Sequence, residues 1–178
     1  HIPRPRKFVQ SIKQILSSNG KIYLSVPNLE WAIKHSAFFD FIYEHCNYFS
    51  ANSLTNLLYL SEFGQINISY GIDRQFLHAE ASRGFKSAIS TPAVNFDKIP
   101  KFIDEKMNLY KKAANAWGNF AVWGVAGKGT SFLNHLNIKH KRSRYAIDIN
   151  PNKHNKFVPI TGQLIVGPEI LLKEKFDN

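Results

Sequence analysis

Residues 5–28 constrain the fold most, because they contain a helix pattern, a glycine, a strand pattern and a proline in immediate succession. Apolar residues recur at helical spacing from Pro5 to Ser18, and Asn19-Gly20 is typical of a left-handed helix C-cap. The stretch 21–26 then alternates as a strand, and Pro27-Asn28 ends it. This order predicts an α/β unit whose strand ends at a loop, where open α/β sheets place their ligands.

A second α/β unit follows later in the chain. The sequence predicts a long helix over 96–116, a buried strand over 120–123, a glycine-rich loop over 124–129, a short helix over 130–136 and a strand over 145–148. One or two short strands around 157–159 and 164–168 and a helical turn at 169–172 complete it. A mixed α/β fold is therefore expected.

Between these units the pattern changes twice. Ser50 is expected to cap a helix over 51–61 whose buried face carries Leu54, Leu57, Leu58 and Leu60. Strands over 65–70 and 75–81, separated by Gly71-Ile72-Asp73-Arg74, predict an antiparallel hairpin. The polar stretch 82–92 predicts a domain boundary, which gives one domain over 1–92 and a second over 93–178.

Composition narrows the functional classes. The 178 residues carry a formal charge of +10, from 23 Lys and Arg against 13 Asp and Glu, which favours an anionic ligand. The basic residues are dispersed apart from the cluster 139–144, which fits either a solvated loop or a contact to an anion or nucleic acid. The lone Cys46 cannot form an internal disulfide, and no apolar run is long enough to cross a bilayer. We therefore expect a cytoplasmic protein that binds no membrane, with nonspecific nucleic-acid binding driven by the net charge as a weaker alternative.

Gly124, Gly127, Lys128 and Gly129 lie between a predicted strand and a predicted helix, where small residues let backbone N–H groups approach a phosphate. Asp148 ends the next strand, about where a dinucleotide-binding fold places its ribose-binding acid. The spacing GxxGxG is also compatible with a purely structural tight turn. Asn150 and Lys153, in the loop after Asp148, are either surface residues or contacts to a phosphate or sugar.

Glu44 and His45 interrupt an aromatic run over 41–50, which predicts the wall of a pocket because buried ionisable groups need a partner or a use. An imidazole titrates near neutrality and is the usual general base. His1 is a second candidate. The spacing of Cys46 and the histidines predicts no metal site.

Four groups of residues, in this order, resemble the C-terminal part of S-adenosylmethionine-dependent C-methyltransferases that act on nucleotide-linked keto-sugars. They are His1-Ile2-Pro3 followed by a helix, Gly20 and a strand; Glu44-His45 with Phe49-Ser50 and Leu54; Trp123 to Gly129 with Leu133-Asn134; and Asp148-Ile149-Asn150-Pro151 with Lys153, Pro159 and Thr161. The likeness covers nearly the whole chain. It implies the C-terminal part of a class I methyltransferase sheet, closed by the antiparallel hairpin, followed by a small Rossmann-like three-layer domain.

The resemblance also implies a reaction. A base removes the proton alpha to a keto group of a nucleotide sugar lying between the two domains, and the enolate attacks the methyl group of S-adenosylmethionine. It assigns the base to His45, an orienting or substrate-binding carboxylate to Glu44 and enolate stabilisation or proton handling to His1. Ile42 occupies the family's tyrosine position. Tyr43, one place later, is a candidate catalytic residue if the backbone shifts locally; otherwise the role of the phenol is absent.

The family's loop for S-adenosylmethionine would precede His1. The chain is therefore expected to be part of a longer protein and to be inactive alone. The alternative to this enzyme is a non-catalytic Rossmann-like module that binds a nucleotide or a nucleotide sugar.

Overall fold

The computed structural model describes residues 1–84 and 99–177, which form a mixed α/β protein with one antiparallel and one separate parallel sheet. Residues 1–35 and 43–84 form one compact unit. Residues 36–42 join 99–177 in the second unit. The predicted point of division at 92/93 lies outside the described residues.

The first unit contains three helices and three strands. In chain order they are α1 (Pro5–Ile15), β1 (Lys21–Pro27), α2 (Leu29–Lys34), α3 (Ala51–Leu60), β2 (Phe63–Gly71) and β3 (Phe76–Arg83). The strands pair antiparallel in the order β1-β3-β2, with Leu24 opposite Ala79 and Ile68 opposite Ala79. The predicted hairpin is therefore confirmed, and β1 joins it on the far side of β3.

One face of this sheet packs against α1 and α3. Its core consists of apolar side chains that alternate along the strands or recur along the helices: Val9, Ile22, Leu54, Leu58, Phe63, Leu77, Ala79 and Ala81. The predicted cap is confirmed, since the Ser50 hydroxyl accepts a hydrogen bond from Ser53 N–H at 3.1 Å. Leu60 was wrongly assigned to the buried face, because its side chain is 51% exposed at the last position of α3.

Gly20 is needed for a different reason from the one predicted. Helix α1 ends at Ile15, Leu16 is extended, and Gly20 does not adopt a positive φ. A Cβ at Gly20 would lie 2.9 Å from Leu16 Cβ and 3.0 Å from the Ser17 carbonyl oxygen. The prediction of a left-handed cap is therefore wrong, and close approach of the chain to itself is what requires glycine.

The second unit contains α4 (Ile99–Ala116), β4 (Val122–Trp123), α5 (Gly127–Leu136), β5 (Tyr145–Ile147) and β6 (Leu164–Val166), with 3₁₀ turns at Phe38–Asp40, Pro151–Lys153 and Pro168–Leu172. The three strands are parallel in the order β4-β5-β6. Phe157 makes only an isolated bridge to Leu164, so of the one or two strands expected at 157–159 and 164–168 the structure has one, β6.

The second core mixes helix α5, the strands and the segment 36–42. Its buried apolar members include Phe38, Phe120, Leu133, Ala146 and Ile165, and Ile103, Met107 and Tyr110 of α4 pack against it. Leu109 of α4 is 55% exposed. The predicted residues 96–98 of that helix lie outside the described residues.

Helix α5 begins at Gly127, three residues before the predicted start. The predicted loop over 124–129 is thereby reduced to Gly124, Val125 and Ala126, and Gly127, Lys128 and Gly129 form the first helical turn. A strand end, a short loop and a helix N-terminus therefore follow one another at the carboxyl end of the parallel sheet.

Candidate functional site

His1 and His45 lie side by side in the first unit. Their ring centroids are 5.0 Å apart, with the rings nearly perpendicular at 84°. His1 precedes α1, and His45 lies in the irregular segment before α3. Residues 44 positions apart in sequence are thus brought into direct contact.

Both imidazoles line a cavity of about 250 Å³, which we call the histidine pocket. Its other polar side chains are those of Ser25 and Asn47. Most of its wall is apolar and is contributed by α1, β1 and α3: Phe8, Val9, Leu24, Val26, Leu54 and Leu57. Apolar walls with a few convergent polar groups are typical of small-molecule sites. The volume is below the roughly 300–1,000 Å³ of such sites, so it suits one sugar ring better than a whole nucleotide sugar.

The backbone at Asn28 and Leu29 holds the C-terminal end of the segment that carries His45. The Asn28 side chain is buried, donates to the Arg74 carbonyl at 2.9 Å and accepts from Glu30 N–H at 3.0 Å. Next to it, Leu29 N–H donates to the Phe49 carbonyl at 2.9 Å. The segment leading from His45 to Phe49 is therefore anchored at the end of β1.

Asn47 joins the two histidine segments, a role that the sequence prediction missed. Its side-chain N–H donates to the Ile2 carbonyl at 2.7 Å, one residue after His1. The sequence gives only a weak indication of this role. Asn47 lies two residues after the candidate base, but the carbonyl that it bonds is 45 positions away in the chain. Asn47 is thus a positioning residue for the histidine pair.

Replacing Asn47 with Ala should separate His1 from His45 without unfolding the unit. The variant loses the hydrogen bond to the Ile2 carbonyl and the longer one to Cys46 Sγ at 3.5 Å, which lowers the free energy of unfolding by about 1 kcal/mol. Cross-relaxation between the two imidazoles, measured by NMR, should disappear. Cys46→Ser is the control, because Cys46 is exposed, a serine hydroxyl can still accept from the Asn47 amide that now contacts Cys46 Sγ at 3.5 Å, and Asn47 keeps its shorter bond to Ile2. Unchanged cross-relaxation in Asn47→Ala would contradict the positioning role.

Tyr43 and Glu44 lie outside the histidine pocket. Tyr43 is fully exposed and Glu44 is exposed. Within the described residues, neither Glu44 nor Tyr43 makes a hydrogen bond to His45. Ile42, at the family's tyrosine position, belongs to the second unit, where its Cδ1 lies near Gly127. The structure therefore brings together His1 and His45 but not the predicted Glu44 and Tyr43.

The second group of candidates lies at the carboxyl edge of the parallel sheet. Trp123 pairs with Ile147, and Gly124 N–H donates to the Ile147 carbonyl at 2.7 Å, so Gly124 and Asp148 lie at the same edge. Gly124 has a φ of +86°. No side chain caps α5, whose first turn holds Gly127, Lys128 and Gly129.

Several of these candidates are held by other protein groups. Lys128 Nζ forms an ion pair with Asp40 at 2.9 Å, and it lies 5.7 Å from the Phe39 ring centroid. A Cβ at Gly129 would lie 2.3 Å from the Gly124 carbonyl oxygen, whereas one at Gly127 would meet only Ile42 Cδ1 at 3.7 Å. Close packing of the loop on the helix therefore accounts for Gly129.

Asp148 is buried and fully engaged by its own loop. One carboxylate oxygen accepts from Lys153 Nζ at 2.8 Å and the other from Asn150 N–H at 2.9 Å. The Asn150 side chain in turn accepts from Asn152 N–H at 3.0 Å. The hydrogen bond from Lys153, followed by that from Asn150 N–H, holds the pKa of Asp148 below its usual value. The structure thus shows a stabilising role for Asp148 and Lys153.

Asp148→Asn should destabilise the protein at neutral pH but not in acid. The folded-state pKa lies below the ordinary value of 3.8, so the carboxylate stabilises the protein above that pH and ceases to do so as the pH falls through the folded-state pKa. We expect the free energy of unfolding to fall by about 1–2 kcal/mol at pH 7, as is usual for a hydrogen bond to a charged group.

Urea unfolding at pH 7 and in strong acid measures this difference. Lys153→Met is the companion variant and should show the same loss at neutral pH. A difference between wild type and Asp148→Asn that stays constant over this pH range would contradict the linkage.

Within residues 1–84 and 99–177, no three His, Cys, Asp or Glu side chains form a possible metal site. No helix in this part of the chain is long and apolar enough to span a membrane.

Sequence comparison identifies the class to which this fold and pocket belong. Residues 1–64 match a family described as a methyltransferase domain, and residues 64–178 match the family described as the C-methyltransferase C-terminal domain. The second match covers more than half of the chain, and the chain therefore belongs to the C-methyltransferase C-terminal domain family. A comparison with curated protein sequences finds no significant match. The predicted resemblance to C-methyltransferases is confirmed at this level.

Proposed function

We propose that this chain supplies the base of an S-adenosylmethionine-dependent C-methyltransferase that acts on a keto-sugar nucleotide. The contact between His1 and His45 inside one pocket is the observation that carries the proposal. Carbon has to be deprotonated before it can attack a methyl group, and a general base near neutral pKa suits this step. Membership of the C-methyltransferase family supports the same chemistry.

His45 is the base in this proposal. An imidazole nitrogen of His45 takes the proton from the carbon alpha to the ketone, the C–H electron pair forms the enolate, and His1 donates an N–H hydrogen bond to the enolate oxygen. The bound methyl donor supplies the electrophilic methyl group for the enolate.

The described residues do not by themselves fit S-adenosylmethionine. The histidine pocket offers two imidazoles, an amide and a hydroxyl, but no carboxylate for the ribose hydroxyls. At the glycine edge, the Asp148 carboxylate is already bonded to Lys153 and to Asn150 N–H. The step that we assign to this chain is therefore the deprotonation, and the donor is proposed to bind mainly through residues that precede His1 in the full-length protein.

Hydrogen exchange tests the assigned step separately from methyl transfer. The full-length protein is incubated in D₂O with a keto-sugar nucleotide and without the methyl donor, and deuterium at the alpha carbon is measured by NMR. We expect catalysed exchange at one carbon. Methyl transfer to an oxygen or nitrogen of the sugar nucleotide, without such exchange, would contradict the proposal.

A further inference from the structure

A concave surface of about 500 Å³ lies where α4 and α5 end in the second unit. The loop 137–144 leads from α5 into β5, so this surface lies at the amino end of the parallel sheet, opposite Gly124 and Asp148. Four cationic and two amide side chains line it, and no carboxylate does. We call it the basic groove: Lys111, Asn115, Asn137, Lys139, Lys141 and Arg142.

Two of the four cations have structural partners. The Arg142 guanidinium donates to the Ala114 carbonyl at 3.1 Å and to the Gly118 carbonyl at 3.0 Å, and it also bonds the Trp117 carbonyl. These bonds offset the negative end of α4. Lys139 Nζ donates to the Ile160 carbonyl at 3.2 Å. Capping of the end of α4 therefore explains Arg142, and the bond to a loop carbonyl partly explains Lys139.

Lys111 and Lys141 are not explained by capping. In the part of the chain that the structure describes, neither ammonium group makes a hydrogen bond or ion pair, although both line the groove beside a fixed guanidinium. Like charges gathered in a concave surface raise the local positive potential and attract anions. Lysines that serve only to keep the surface charged would be spread over it, whereas these two line the same concave surface.

We propose that the basic groove binds a phosphate-bearing small molecule, with Lys111 and Lys141 as its charged contacts. A doubly or triply charged phosphate group matches two free ammonium groups next to Arg142, and the amides of Asn115 and Asn137 supply further donors. The size of the groove lies within the roughly 300–1,000 Å³ of small-molecule sites. Nucleic acid fits less well, because its phosphates extend along a strand and need an extended track of cations.

Calorimetric titration of the chain with inorganic pyrophosphate at low ionic strength tests this site. The groove variant is the double substitution Lys111→Gln and Lys141→Gln. The control is Lys112→Gln and Lys173→Gln, which removes the same charge from two exposed lysines that do not line the groove. We expect the groove variant to weaken binding by about tenfold or more, because two charge-assisted hydrogen bonds are lost, and the control to keep its affinity.

Amide NMR shifts locate the bound pyrophosphate. Changes confined to 111–115 and 136–142 would support the groove. Absence of binding at millimolar pyrophosphate would overturn the proposal, and so would equal weakening in both double variants, because the attraction would then come from the overall charge. Tighter binding of a single-stranded oligonucleotide than of pyrophosphate, with both variants equally weakened, would indicate a diffuse nucleic-acid surface instead.

Discussion

Replacing His45 with Ala in the full-length protein should lower the rate of alpha-proton exchange by roughly 10²–10⁴-fold, the usual contribution of a positioned general base. His45 is the part-buried imidazole in contact with His1 inside the histidine pocket, and its removal takes away the proposed proton acceptor. The measurement is deuterium incorporation at the alpha carbon of a keto-sugar nucleotide. Methyl transfer should fall in parallel, since the enolate has to form first.

His35→Ala is the matched control for this experiment. His35 is exposed, its Nδ1 is 2.9 Å from the Trp31 carbonyl, and its ring stacks on Trp31 at 4.4 Å, so it has no place in the histidine pocket. Its removal should leave the exchange rate unchanged. Equal melting temperatures of wild type and His45→Ala exclude unfolding as the cause. An alpha-proton exchange rate equal to that of the wild type in a folded His45→Ala variant would contradict the assignment of His45 as the base.

His1 is expected to behave differently from His45. As donor to the enolate oxygen, it stabilises the charge that develops and does not take the proton. The Asn47 side chain bonds the Ile2 carbonyl, next to His1, and so positions His1 in the pocket. A change at Asn47 should therefore resemble a change at His1 in its effect on the exchange rate.

The sequence predicts elements whose signals are local. Ser50 and Ser53 lie three residues apart, and such spacing allows the reciprocal cap that the structure shows. The hairpin over 63–83 follows from alternating residues on both sides of a turn. The turn itself is unusual, because Ile72, Asp73 and Arg74 all adopt positive φ without being glycine. Contact of Asn28 with the Arg74 carbonyl helps hold this turn, and no local pattern indicates that contact.

Features that depend on distant contacts could not be predicted from spacing. Only the family resemblance predicts that His1 and His45 belong to one site, because no local sequence pattern links the two residues. Asp148 and Lys153 were predicted as ligand contacts because polar residues after a strand are typical of a binding edge. In the structure the two side chains form an ion pair with each other. The sequence alone does not show whether such residues bond each other or a ligand. Whether a nucleotide sugar also contacts Gly124, Gly127, Lys128, Gly129, Asp148, Asn150 or Lys153 stays a prediction.

Replacing Gly129 with Ala should lower the free energy of unfolding by about 2–4 kcal/mol, at the upper end of what overpacking a tight contact costs. The new Cβ would lie 2.3 Å from the Gly124 carbonyl oxygen and 3.0 Å from its carbon. Both atoms belong to the backbone of Gly124, whose N–H is bonded to the Ile147 carbonyl in β5. The loop could therefore move away from the new Cβ only by breaking this bond to the sheet.

Gly127→Ala is the matched control, two residues earlier in the same helical turn. Its Cβ would meet only Ile42 Cδ1 at 3.7 Å, an ordinary contact, and alanine favours the helix by up to about 1 kcal/mol relative to glycine. Chemical unfolding should therefore show a lower free energy of unfolding for Gly129→Ala and an equal or higher one for Gly127→Ala. A destabilised Gly127→Ala would contradict the packing account. Equal, unchanged stability of both variants would mean that packing does not require Gly129, and would reopen the phosphate-binding interpretation of the loop.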